Sequence, residues 1–291
     1  MVAGPLGELG FAMNDSSLPA NPAPENEVDD ILGKLETDGF AVMKGVIPPD
    51  EVAPVRESIV ETVSQHSSTP PPNGVVTGLL RKDLSMAPYL THPRFMGMMT
   101  GLFGEHFKTS FITALVNNAG VKRGPMHADW PYNQNAAARV RSPYPDVLMH
   151  LVTMWMLSDY TIENGGTHLI PGSHKRDYAP RFGSKYEPMK TYKNEVQLQG
   201  KAGDVGIFDA RTWHATAENT TPDPRIGVLI RYCPWWLNLK PLSPGSRERE
   251  MIVGDNSDGL TAQVEPIPAS VFEKLPDNIK PLLSHMVDEY S

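Results

Sequence analysis

A chain of 291 residues with a net charge of −8, 40% hydrophobic and 21% charged, has the make-up of an ordinary soluble globule that can bury a substantial core. The acidic balance argues against a sequence-independent grip on nucleic acid, which comes from neutralising phosphates with Lys and Arg, so a small molecule is the expected partner. Cys233 is the one cysteine, which excludes an intramolecular disulfide or a thiolate-rich metal site; the nearly apolar run 147–157 is interrupted by His150 and Thr153 and is far short of the roughly 20 residues that span a bilayer.

Residues 1–26 are rich in Gly, Pro, Asn and Ser without periodicity and predict a mobile arm. They hold neither the basic n-region nor the apolar stretch of a signal peptide, so a cytoplasmic location is expected. From residue 27, Val28, Ile31, Leu32 and Leu35 recur at helical spacing up to Asp38-Gly39, a candidate C-cap. "FAVMKGVI" (40–47) reads as a strand. Pro48-Pro49-Asp50 then opens a second helix to about Gln65, with Val52, Val55, Ile59 and Val63 on one face. The two helices and the strand would form an outer buttress.

The segment 67–78, "SSTPPPNGVVTG", reads as a polar loop at the rim of a site. From Phe107 the texture changes to short β-rich runs between turn signals: "FKTSFITALVN", "VLMHLVTMWMLSD", "THLIPG", "VQLQGKAGDVGIFDA", "WHATAEN" and "RIGVLIRYC". Such runs indicate antiparallel sheets in a sandwich or barrel, not βαβ units. A last helical stretch is expected over 269–290. The whole of 27–291 is expected to be one mainly β domain with flanking helices.

Within "GPMHADWPYNQ" (124–134), His127 and Asp129 stand two apart. Nine histidines and 34 carboxylates in this length supply about one His-x-Asp/Glu by chance, so context has to decide its meaning. A first-row metal that must also bind a co-substrate and dioxygen needs few protein ligands, which two histidines and one carboxylate supply while leaving positions open. The strongest candidate for the third ligand is His214, in "KAGDVGIFDARTWHATAENTTPDPRIGVLIRY". Alternation puts Thr216 on the same face as His214. Arg225 begins the next strand and would carry a fixed cation into the interior, suited to bidentate capture of a dicarboxylic acid. Iron at the mouth and Arg225 deeper inside would hold 2-oxoglutarate at both ends.

With "MHAD" (126–129), "ENGGTHLIPGSHK" (163–175), "AGDVGIFDARTWHAT" (202–216) and "DPRIGV" (223–228), the sequence resembles the phytanoyl-CoA dioxygenase family of Fe(II)- and 2-oxoglutarate-dependent oxygenases. The resemblance runs from about Gly33 to Tyr232. It implies a double-stranded β-helix, the cupin-like jelly roll, with Fe(II), 2-oxoglutarate and O2 as cofactor and co-substrates. It also implies His127, Asp129 and His214 as metal ligands. Arg225 would pair with the far carboxylate of 2-oxoglutarate, with Thr216 and Thr167 as polar contacts and Trp155 lining the pocket. An aspartate at position 129 favours oxygenation, desaturation or ring chemistry over halogenation. Where some relatives carry a glutamine or lysine near the first metal histidine, this chain has "RGP"; Lys122, Arg123 and Asn117 are the candidate substitutes.

Other residues have plainer readings. His168 and His174 flank a tight turn and His150 lies mid-strand, so all three read as structural. Arg231 shares parity with Arg225, and its alternative to the anchoring role is an outer salt bridge. Trp130, adjoining the metal motif, is a candidate substrate contact. The expected activity is oxidation of a small molecule, a natural-product intermediate or an acyl, lipid-like compound, by a monomer or homodimer with no nucleic-acid or membrane partner. The rivals are a non-catalytic cupin-like binding protein and a zinc hydrolase using the same three ligands.

Overall fold

The computed structural model describes residues 25–130, 146–180, 185–243, 245–253 and 264–288. The expected arm 1–26 therefore lies outside the described residues, apart from its last two. Helix α1 (Glu25–Thr37) leads into β1 (Phe40–Met43), and α2 (Pro49–His66) starts with proline in its first turn, where a missing N–H costs nothing. The segment read as a rim loop ends in a strand, β2 (Asn73–Thr77), because "NGVVT" pairs along one edge of β3 (Phe107–Asn117). Between them lies a helix that the sequence reading did not anticipate, α3 (Pro93–Phe103).

The remaining strands are β4 (Leu151–Met156), β5 (His168–Leu169), β6 (Val196–Gln197), β7 (Val205–Asp209), β8 (His214–Ala215) and β9 (Arg225–Pro234). Six of them form one sheet in the order β1-β7-β4-β9-β3-β2, and β6-β5-β8 form a smaller one. Every pairing in these two sheets is antiparallel. This is the double-stranded β-helix architecture that the family resemblance implies, and a form of the antiparallel sandwich that the short strands and turns predict.

The register of the large sheet sorts its side chains into two faces. One row runs Ile207, Thr153, Ile230, Ile112 across four strands, and the next runs Phe208, Val152, Arg231, Phe111. The first row belongs to a core shared with Ile31 and Leu35 of α1, Val55 and Ile59 of α2, and Phe95 and Met98 of α3. The second row faces the small sheet, where Val152, Met154, Met156 and Phe208 meet Leu169 and Leu198. Both faces are thus covered, which is why β4 is buried at all six positions instead of alternating.

The expected helix over 269–290 is instead two single turns, α4 (Ala269–Phe272) and α5 (Lys280–Leu283). Around them β10 (Ile267–Pro268) and β11 (Val287–Asp288) pair in parallel. Pro276 removes a backbone donor and disfavours the helical region for Leu275, so one continuous helix cannot form, whereas Pro281 falls in the first turn of α5, where its missing N–H is tolerated.

A candidate metal centre and a buried cation

His127 and His214 are brought together by backbone pairing. Each accepts the other's amide on its carbonyl, at 2.9 and 2.8 Å, in an isolated antiparallel bridge. Flanking bonds extend the match: the Gly124 amide donates to Thr216 and the Trp130 amide to Ala210. Residues more than eighty positions apart are therefore set side by side by main-chain hydrogen bonds, and their rings lie with centroids 4.3 Å apart.

The ligand atoms of His127, Asp129 and His214 lie within 4.8 Å of one another. His127 Nε2 is 3.7 Å from Asp129 Oδ1, and His214 Nε2 is 3.6 Å from Asp129 Oδ2. An ion with bonds of about 2.0–2.2 Å would draw this set in slightly. The other ring nitrogens are already committed: His127 Nδ1 donates to the Pro125 carbonyl at 2.9 Å and His214 Nδ1 to the Thr212 carbonyl at 2.8 Å. Those bonds select the tautomer in which each Nε2 lone pair faces the shared space, as metal-binding imidazoles require.

Asp129 is buried, and burial alone would raise its pKa; the Arg231 guanidinium, with His214, His127 and His150, more than offsets this and holds it below the usual carboxylate range. Its Oδ1 accepts Arg231 Nη2 at 2.8 Å, while Oδ2 is buried with no hydrogen-bond partner. Burial first, and then His127, push His214 down to about 4, so it is neutral near pH 7. Two imidazoles aimed at one point beside a buried, half-satisfied carboxylate fit a divalent cation of the borderline type.

Arg225, the first residue of β9, is only 3% exposed. Its Nη1 donates to Thr167 Oγ1 at 3.1 Å, and its guanidinium lies 4.8 Å over the Tyr160 ring. Among the described residues no carboxylate pairs with it, and its Nε is buried without a hydrogen-bond partner. Such a cation is costly unless an anion reaches it. Two glycines make room: a Cβ on Gly227 would stand 2.2 Å from Tyr160 Oη, and one on Gly166 would stand 2.2 Å from the Leu198 carbonyl. The "GGT" stretch therefore lets Thr167 approach Arg225.

The structure places the sequence candidates unevenly. Thr167 contacts Arg225, but Thr216, on the face shared with His214, packs beside Gly124 and is not the described hydrogen-bond partner of Arg225. Trp155 does not line this space: it is fully buried on the helix side of the sheet, against Tyr89 and Phe95, with Nε1 donating to Thr153. Odd positions of β4 face the helices, so its parity excludes it. Arg231 is not an outer salt bridge but an inner one, to the candidate metal ligand itself.

Of the three candidate substitutes, Lys122 pairs with Glu218 and Arg123 with Glu195, whereas Asn117 stands opposite Arg225 in the β3–β9 register. His150, 5.8 Å from the Trp130 ring, is pushed down to about 3 by burial first and then Arg231. Trp130 itself is buried in the inner cluster, and the segment 131–145 that follows lies outside the described residues. Tyr160 was missed altogether. No motif marks it, and only the approach of Gly227 to its hydroxyl reveals the fit.

Comparison with known proteins agrees with this geometry. Among curated proteins, the chain is 26% identical over 215 residues to the dioxygenase trt7 of Aspergillus terreus, covering 69% of this chain and 71% of that one. It is 25% identical over 226 residues to the dioxygenase olcK of Penicillium canescens, covering 71% and 70%. Among solved structures, it superposes on HygX from Streptomyces hygroscopicus, bound to nickel, 2-oxoglutarate and hygromycin B, with a TM-score of 0.59 at 18% identity, over 72% of this chain and 88% of that one. The iron- and α-ketoglutarate-bound epimerase SnoN gives 0.57 at 21%, over 72% and 85%. The profile of the phytanoyl-CoA dioxygenase family matches residues 35–227, and the chain belongs to that family.

Proposed function

We propose that the chain is an Fe(II)- and 2-oxoglutarate-dependent oxygenase acting on a small natural-product-like molecule. The observation that carries this is the pairing of two unfilled demands: a His-Asp-His set that asks for a cation, and a buried guanidinium that asks for an anion. A keto-diacid satisfies both, with its keto-acid end at the metal and its far carboxylate on Arg225. When bound, iron with 2-oxoglutarate and dioxygen supplies the oxidising power, with decarboxylation to succinate and CO2 and cleavage of a substrate C–H bond.

The chain's own residues do the rest. His127, Asp129 and His214 hold the metal on one side. Arg225 fixes the co-substrate, steadied by Thr167 and by the Tyr160 ring. Phe40, Val42, Leu115, Met149 and Leu229 pack partly exposed against the inner cluster, an apolar wall suited to a largely hydrocarbon substrate. The structural neighbours HygX, bound to hygromycin B, and SnoN, bound to nogalamycin RO, support a natural-product substrate over an acyl derivative. The structural neighbours include an epimerase and a carbocyclase, so stereochemical inversion and ring closure are outcomes to screen for beside hydroxylation and desaturation.

The test is succinate release from 2-oxoglutarate under air with Fe(II). His127→Ala, Asp129→Ala and His214→Ala should each abolish it; wild-type rates in any of the three would refute the ligand set. Turnover with Zn(II) but without O2 would favour hydrolysis. Tight 2-oxoglutarate binding without succinate, across a substrate screen, would favour a binding protein.

A further inference from the structure

Two arginines project from the same face of β9, six residues apart, with different surroundings. Arg225 has no carboxylate beside it. Arg231, 8% exposed, holds Asp129 Oδ1 at 2.8 Å, and its guanidinium lies 4.8 Å over the ring of Phe111, its neighbour on β3. The contact divides the two oxygens of Asp129. Both oxygens face the histidines, Oδ1 at 3.7 Å from His127 Nε2 and Oδ2 at 3.6 Å from His214 Nε2, but Oδ1 is held by Arg231 whereas Oδ2 is buried without a hydrogen-bond partner.

A carboxylate with both oxygens available can chelate a cation, and each position so used is lost to other ligands. Here the metal must keep room for two co-substrate atoms and dioxygen. We propose that Arg231 is a positioning residue that restricts Asp129 to metal binding through one oxygen and so preserves the position at which 2-oxoglutarate or dioxygen binds. This rests on the metal-centre reading above. The same guanidinium opposes an incoming dication, so the arrangement gives up metal affinity to keep coordination positions open.

This predicts changes of opposite sign. In Arg231→Met and Arg231→Gln, Asp129 is released and unneutralised, so Mn(II) should bind about 10-fold tighter and 2-oxoglutarate should bind the Mn(II)-loaded chain about 10-fold weaker, the size typical of outer-shell changes. Arg231→Lys, which keeps the charge and a donor, should stay within about 3-fold of wild type in both. The experiment is titration of Mn(II) into the full chain, then of 2-oxoglutarate into the Mn(II)-loaded chain, for wild type and all three variants. A merely structural role would weaken both affinities together; parallel weakening, or no change, in a folded neutral variant overturns the assignment. If the Met variant does not fold, the Gln variant, which offsets burial with its own amide, carries the comparison with Lys. A wild-type chain that binds no Mn(II) would overturn the metal centre itself; Mn(II) binding without the opposed changes would overturn only the role of Arg231.

Discussion

Replacing Arg225 with Met should make the ligand-free protein more stable and the co-substrate-bound protein less so. In the wild type the guanidinium is 3% exposed, with one hydrogen bond to Thr167, the face of Tyr160 and no described carboxylate. The effective penalty for burying an ion is several kcal/mol. Against it stand a hydrogen bond to a charged group, about 1.5–3 kcal/mol, and a desolvated cation–π contact of about 2 kcal/mol. Methionine fills much of the same volume without the charge, so the balance favours the variant by on the order of 1 kcal/mol, a rise of about 2–4 °C in Tm. With 2-oxoglutarate and Mn(II) the order reverses: losing a buried charge pair costs about 2–5 kcal/mol, hence at least about a 30-fold loss of co-substrate affinity. Thermal melts of both proteins with and without 2-oxoglutarate and Mn(II) read all four states. A variant that melts below wild type when ligand-free, or that keeps the wild-type gain with 2-oxoglutarate, would refute the reasoning, because Arg225 would then be a structural cation and not one awaiting an anion.

Thr167→Val keeps the shape but removes the acceptor 3.1 Å from Arg225 Nη1, so KM for 2-oxoglutarate should rise about 5–10-fold with kcat little changed, as steady-state kinetics would register. Gly227→Ala puts a Cβ 2.2 Å from Tyr160 Oη and 2.8 Å from the Trp155 carbonyl; about 1–3 kcal/mol of stability should be lost in denaturant melts, and unchanged stability would mean that Tyr160 is free to move. His92 is buried with both ring nitrogens unpartnered, and burial, then Arg94, push it down to about 4. The unfolded chain binds this proton near pH 6.5, so its contribution is complete above that pH and is lost as pH falls towards about 4, by on the order of 1–3 kcal/mol. His92→Phe should flatten that part of a pH-stability curve.

Much of the outer buttress was legible because one-sided burial leaves a periodic trace. Val52, Val55, Ile59 and Val63 mark α2 in the sequence and are buried in the structure. Helix α3 had a readable signal too, Pro93 at its start, Gly104 at its end, and Phe95, Met98 and Met99 at helical spacing. Trp155 went the other way. In a strand covered on both faces, alternation separates two sets of residues but says nothing of which set faces the site, and only the packing of Phe95 and Tyr89 decides it.

The sequence by itself determined the chemistry on offer: a His-x-Asp, a distant Trp-His, a glycine-flanked threonine and an arginine at the head of a strand are properties of residue type and spacing. Tertiary structure alone decided how they are shared out. Arg225 and Arg231 are the same residue on the same face of one strand, yet one lies beside Thr167 and Tyr160 and the other against Asp129, because their partners come from segments far away in the chain. Local sequence sets the direction of a side chain; what it meets there depends on strands paired across long separations, which no local pattern records.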